Sequence, residues 1–480
     1  MYYLIQRPIA MLGAGVLGLA VLSLLGAHLV EPAYVRTWQA QGYPATLEEL
    51  NEFYAPVPEE ENAALLYMEA SARVRELPLV GGGPWGGGGL QGGFGGTAGE
   101  EMEDWERPHE PLPFVGQGRI PDDLADFPEE LRARLREYLA LNAESLALVH
   151  QAVDLPGVRF PIDLREGSEV HLKHLAPTRH LSRVVSLEVL GNALEEDSAA
   201  ATRSLLTHLR LGEALAPEPL LISQLVRVAM SGIAWGVLEL GLNHVAFEAA
   251  ELEALQAALQ RRGDPVADME RAMVAERVLP ISREGWYLFE QDARGYAARA
   301  ELGDLRFWAT GLARRFGMGY AIERSALLQG YRGLSAAAAE FQDYEAWEKP
   351  LDGLPPGEWQ EVGTLAQLLI PAQTRIWAAS LRAEAQMRLA ETAVAIERYR
   401  LAEGRIPETL EALTPTYLEA VPRDPFGPDT LQYRREGQDY LLYSFGDNRQ
   451  DGGGVERWQD AEAWDVVFRV GIPAPEREVE

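Results

Sequence analysis

A chain of 480 residues, 47% hydrophobic and 24% charged, has an ordinary globular composition and the length for two or three domains. Its formal net charge of −30 speaks against nucleic acid as a partner, since phosphate binding needs a basic face, and against a polybasic grip on anionic lipid. There is no cysteine, which removes disulfides, Cys-ligated zinc, iron–sulfur clusters and thiol catalysis.

The first element is apolar. Pro8 to Val30 holds no Asp, Glu, Lys or Arg. About 20 such residues suffice to cross the hydrocarbon core of a bilayer. Arg7 precedes the run and Glu31 follows it, so residues 1–30 read as a transmembrane anchor with the N-terminus inside. A cleaved signal peptide is the rival reading, and its apolar region is usually shorter, about 7–15 residues. The expected location is a bacterial inner membrane, crossed once, with the bulk of the chain periplasmic. Gly13, Gly15 and Gly18 spell a dinucleotide-binding pattern, but within a membrane span no strand precedes them and no helix start faces a phosphate.

Residues 31–78 read as a juxtamembrane helical segment. Thr46-Leu47-Glu48-Glu49 has the form of a capping box, and a second helix is expected over roughly 61–77. Residues 79–121 are expected to form a flexible loop, because Gly81 to Gly96 is dominated by glycine and offers little to bury. From 122 to 387 the pattern is helix after helix, with starts and stops predicting elements near 178–194, 197–215, 218–242, 249–262 and 264–278. Short connections imply a bundle or an irregular α-solenoid. Leu220 to Phe247 is apolar enough to suggest a second span, but Arg227, Glu239 and His244 interrupt it and a buried core helix is the better reading.

Residues 388–472 change character. A helix to about Leu401 leads into two β-rich runs, 431–434 and 440–443, joined by Glu436-Gly437-Gln438-Asp439, with a last strand over 465–470 and a polar tail at 473–480. There is an internal echo: Pro44-Ala45-Thr46-Leu47-Glu48-Glu49-Leu50 and Pro407-Glu408-Thr409-Leu410-Glu411-Ala412-Leu413 share P-x-T-L-E-x-L. Each is followed by a tyrosine (Tyr54, Tyr417) and a Val-Pro pair (Val57-Pro58, Val421-Pro422). The fold class expected is mainly α, with an N-terminal transmembrane helix, a helical body and a small α+β C-terminal module.

Three motifs in order carry a resemblance: Tyr399-Arg400 with Gly404-Arg405-Ile406-Pro407, then Val421-Pro422-Arg423-Asp424-Pro425-Phe426-Gly427, then Tyr440-Leu441-Leu442-Tyr443-Ser444-Phe445-Gly446-Asp447-Asn448. The stretch resembles the globular part of type II secretion major pseudopilins, and the whole chain is similar to membrane-anchored helical proteins of planctomycete and verrucomicrobial type. The chain departs from the pseudopilin pattern at its start, where Met1 to Arg7 offers no prepilin-peptidase site and the apolar run has no glutamate. The resemblance implies calcium at the loop after Tyr443-Ser444, with Asp447 and Asp451 as ligands and Asn448 and the Ser444 carbonyl behind them; Asp460 and Asp465 follow. The alternative for that loop is an Asx-rich turn without an ion.

No H-E-x-x-H, G-x-S-x-G, S-x-x-K or Walker pattern occurs. His171 and His174 stand one helical turn apart, with His180 beyond Pro177, and read as helix-flank histidines before a metal site. Glu195-Glu196 and Asp122-Asp123 read as solvated charge, and Trp286, Tyr287, Phe289, Phe307 and Trp308 as core. The function expected is a non-catalytic, membrane-tethered structural or interaction protein that binds another envelope protein. Alternatives are an envelope hydrolase whose carboxylates converge only in the fold, and an accessory component of a secretion or pilus-like system.

Overall fold

The computed structural model describes residues 39–40, 42–77, 111–116, 119–281, 364–456 and 464–472. The apolar run 8–30, the glycine-dominated stretch, the aromatic set 286–308, Asp460 and the tail lie outside them.

The described chain is mainly helical, with one small sheet. In order come α1 (Leu47–Phe53), α2 (Ala63–Arg73), α3 (Glu129–Leu141), α4 (Ala143–Ala152), α5 (Leu175–Leu194), α6 (Ser198–Gly212), α7 (Leu221–His244), α8 (Ala249–Gln260), α9 (Pro265–Ile281) and α10 (Thr364–Glu403). The strands are β1 (Gln432–Glu436), β2 (Asp439–Phe445) and β3 (Asp465–Val470), antiparallel in the order β1-β2-β3. Helix starts follow capping chemistry: the Thr46 hydroxyl accepts from Glu49 N at 3.1 Å while Glu49 accepts from Ala45 N at 2.7 Å, and Asp197 caps α6 through Ala200 N. α3 and α4 are separate helices because at Asn142 the chain bends and the side-chain amide of that residue donates to Tyr138 O and Arg75 O. α10 runs unbroken through residue 388, where a new segment was expected to begin.

α5 packs on α6 and α7, α10 lies across α7, α8 and α9, and the sheet closes on α10 and α7. One apolar core is continuous from Ala64 through Leu190, Leu238 and Val394 to Leu442 and Phe468. The C-terminal strands therefore share the core of the helices. Each buried Leu or Phe in it contributes about 1.5–3 kcal/mol.

Of the described helices, α7 alone is long and apolar enough to cross a membrane by length and composition. Its two charged residues are engaged by protein. Arg227 is buried between Glu213 and Asp268, while Glu239 and Asn243 meet the outer edge of β3. Glu239 accepts from Arg469 N at 3.0 Å; Asn243 donates to Arg469 O at 2.9 Å and accepts from Gly471 N at 2.8 Å. At Arg469 and Gly471 these side chains bond the edge as a fourth strand would, so those polar groups are not left to pair with another chain. Arg227 or Glu239 facing lipid would cost about 2.5–3.5 kcal/mol each, so packing in the protein interior wins.

Burial pushes the Glu239 carboxyl up to about 7, against which Arg469 acts only in part. A raised carboxyl costs nothing below its unfolded pKa of about 4.3, and its penalty grows as pH rises from there through 7. Glu239→Gln removes the charge and keeps an acceptor for Arg469 N. We expect the variant to match wild type at pH 4 and exceed it by about 2 kcal/mol at pH 8. Urea unfolding at both values checks this; parallel pH profiles would refute the assignment.

The two echoed segments have parallel surroundings. Each follows a helix end closed by a left-handed glycine, Gly42 (φ 82°) and Gly404 (φ 68°), as a C′ position requires. Each tyrosine carries an arginine on its ring, Arg159 at 4.4 Å over Tyr54 and Arg398 at 5.5 Å over Tyr417. The first segment forms α1; the second forms only a 3₁₀ turn, Leu410–Leu413, whose Thr409 makes no cap bond to it.

Candidate functional site

An open cleft of about 680 Å³ lies where the α8–α9 turn, α10 and the 420–427 loop meet. α8 ends at Gln260, and Pro265 opens α9, where its missing N–H is no loss. The connecting Arg262-Gly263-Asp264 reaches the cleft. On α10, Leu381, Glu384, Arg388 and Glu391 recur at intervals of three and four residues and share one face. The third wall is the Val-Pro-Arg-Asp-Pro-Phe-Gly motif.

The floor is a fixed ion-pair system. Arg262 binds Glu384 through two nitrogens, at 2.7 and 3.1 Å, and Arg388 Nε binds the same carboxylate at 2.7 Å. Burial raises Glu384, but the two guanidinium groups outweigh it and hold the carboxyl below its ordinary range. Beneath Gly263 runs a second chain, Arg271–Asp268–Arg227–Glu213, with links of 2.7, 2.8 and 2.7 Å. Glu213 accepts the Gly263 N–H at 3.2 Å and acts electrostatically on Arg262. A Cβ at Gly263 would stand 3.1 Å from both Asp268 and Glu213, so the turn sits directly on these carboxylates.

The loop wall is held by Asp424. Its carboxylate accepts the Ser444 hydroxyl at 2.6 Å, Phe426 N at 2.8 Å and Phe445 N at 2.8 Å. Burial pushes Asp424 up and these donors draw it down only in part. The Asp-Pro-Phe-Gly and Tyr-Ser-Phe-Gly motifs are thus two sides of one junction. Its glycines are packing positions: a Cβ at Gly446 would lie 2.6 Å from Trp464 O, and one at Gly427 3.1 Å from the Phe445 ring. Arg423, beside Asp424 in the first motif, is exposed at the cleft; it donates only a long 3.4 Å bond to Pro428 O and pairs with no carboxylate among the described residues.

The residues expected to hold calcium are placed as follows. Asp447 pairs with Arg382 at 3.0 Å, the Asn448 side chain accepts from Gln450 N at 3.3 Å, and Asp451 accepts from Gly453 N at 2.8 Å. The last two are Asx turns. The Ser444 side chain is committed to Asp424. Asp465 organises the loop, accepting from Gly452, Gly454 and Val455 N at 3.2, 2.7 and 3.2 Å. Among the described residues no three His, Asp or Glu side chains converge as a metal cluster. His174 is buried, 2.8 Å from Glu218 and stacked on Phe160, and His180 pairs with Glu76 at 3.0 Å, so these two histidines face different carboxylates.

Two hydroxyl–imidazole contacts resemble nucleophile pairs. Ser186 Oγ lies 3.0 Å from His208 Nε2, but both are fully buried, and burial lowers His208 to about 4, so it stays neutral. Thr207 Oγ1, His150 and Glu188 form a chain with links of 2.8 and 3.0 Å. Thr207 is 3% exposed and inside α6, whose N–H groups bond along the helix and leave no oxyanion donors.

Sequence reasoning did not single out Arg262, Glu384 or Asp424. Glu384 and Arg388 carried one legible signal, the i,i+4 spacing of opposite charges on a helix. Comparison of the chain with known protein families, with curated proteins and with solved structures found no match.

Proposed function

We propose that the protein is a membrane-tethered interaction protein of the cell envelope, anchored by residues 8–30, which engages its partner at the cleft between α8, α10 and the 420–427 loop. The observation that carries this reading is the cleft: it is open, built jointly by the helical body and the C-terminal segment, and lined by charged side chains over a fixed ion-pair floor. The resemblance of the C-terminal motifs to pseudopilins supports an envelope setting.

A photo-reactive residue at Ala420, an exposed position on the cleft wall, tests it in the full-length protein in native membranes. The expected result is one discrete adduct from position 420, none from Glu137, an exposed residue of α3 outside the cleft lining, and retention in the membrane after alkaline washing. Release by the wash, or identical adducts at both positions, would remove the tether or the cleft from the reading.

Calcium at the 446–455 loop belongs to the same proposal. There Asp447 would exchange Arg382 for the cation, with Asp451 adding a second carboxylate. A thermal midpoint that rises with calcium and no longer does so in Asp447→Ala supports it; a midpoint indifferent to calcium and chelator removes the ion.

A further inference from the structure

We infer that the cleft takes a short peptide as a zwitterion, its carboxylate on Arg388 and Arg423 and its ammonium on Glu391. This rests on the cleft being the partner site and gives the partner its chemistry. The lining carries both signs at positions with bonding capacity left over. Arg388 uses Nε on Glu384 and Nη1 on Arg423 O at 2.7 Å, which leaves Nη2. Arg423 is spent only on its long contact with Pro428 O. Glu391 gives one oxygen to Gln260 Nε2 at 3.0 Å and keeps the other. Arg262 and Glu384 satisfy each other and form the floor between these groups.

Charge selects among ligand classes. A purely anionic ligand would face Glu391 and Asp264 in a chain of net charge −30, and a purely cationic one would face Arg388 and Arg423. A ligand with one charge of each sign meets neither penalty. The 680 Å³ volume falls within the about 300–1,000 Å³ of small-molecule sites and suits two or three residues better than a free amino acid. Val421, Pro422 and Pro425, each partly exposed, offer apolar surface to small side chains.

Titration calorimetry of the full-length protein in detergent at low salt tests this with three probes: alanyl-alanine, its N-acetyl derivative (anion only) and its amide (cation only). The dipeptide is expected to bind at least about tenfold more tightly than either blocked form, a difference of about 1.4 kcal/mol. Arg423→Gln should weaken the dipeptide about tenfold and tighten the amide if it changes it at all; Glu391→Gln should weaken the dipeptide and tighten the N-acetyl form if it changes it at all. Neither side chain anchors the fold, and circular dichroism of the variants verifies that. Equal binding of all three probes, no binding, or variants like wild type would overturn the zwitterion assignment. If that happens while the Ala420 adduct persists, the cleft stands and only the ligand class falls; loss of the adduct as well sinks the cleft.

Discussion

Asp424→Ala should lower stability by about 3–5 kcal/mol, a large loss for one carboxylate in a loop. The side chain is 5% exposed and accepts three hydrogen bonds, two of them from backbone N–H groups that lose their acceptor when it is removed. Each buried donor left unpaired costs about 1–3 kcal/mol. The Ser444 hydroxyl suffers least, since it already lies 3.1 Å from Phe445 O and can turn to it. Ser444→Ala should therefore cost only about 1 kcal/mol. Asp424→Asn should fall between, because one amide oxygen still accepts while the amide nitrogen is set against an N–H. Urea unfolding of the four proteins gives the order wild type, Ser444→Ala, Asp424→Asn, Asp424→Ala. A loss below about 1 kcal/mol for Asp424→Ala would mean that the junction of the two motifs is not what holds the loop.

The sequence made the helices legible where local chemistry decides them. Thr46, Asp197, Pro265 and Gly404 mark starts and stops that need only the neighbouring turn, and the described ends fall within a few residues of the expected ones. The hairpin was legible for the same reason, since Gly437 at φ 70° closes a two-residue turn between Glu436 and Asp439. Two of the polar interruptions of the apolar stretch 220–247, Arg227 and Glu239, bond to other parts of the protein, but their partners carry no local signal. Arg227 finds Glu213 and Asp268, and Glu239 finds Arg469 N, 230 positions away. The candidate site shows the same division. Asp424 lies within a motif that was noticed, yet its partner Ser444 was chosen for its carbonyl, whereas its hydroxyl is what the junction uses. Arg262 carries no local signal, because its role comes from α10 passing beside the α8–α9 turn, and no spacing rule reports a tertiary crossing.

Arg227→Met should cost about 3–5 kcal/mol for a reason opposite to that usually given for core substitutions. The methionine fills most of the volume and buries well, so little is lost in packing. The cost lies in what remains: Glu213 and Asp268, both held by the same guanidinium at 2.7 and 2.8 Å, face each other without a shared cation. Asp268 keeps Arg271 at 2.7 Å, but that arginine is more than a third exposed and well screened. Burial already raises Asp268, with Arg227 the larger opposing charge; removing it should raise the carboxyl further. A raised carboxyl is penalised only when ionised, so the deficit of Arg227→Met should shrink as pH falls from 8 towards 5. Adding Asp268→Asn to Arg227→Met should recover much of the loss at pH 8 and flatten that pH dependence, because a neutral amide does not need the cation. A double variant no more stable than the single one would show that packing, and not unpaired charge beneath Gly263, sets the cost, and the cleft floor would then owe its rigidity to Arg262 and Glu384 alone.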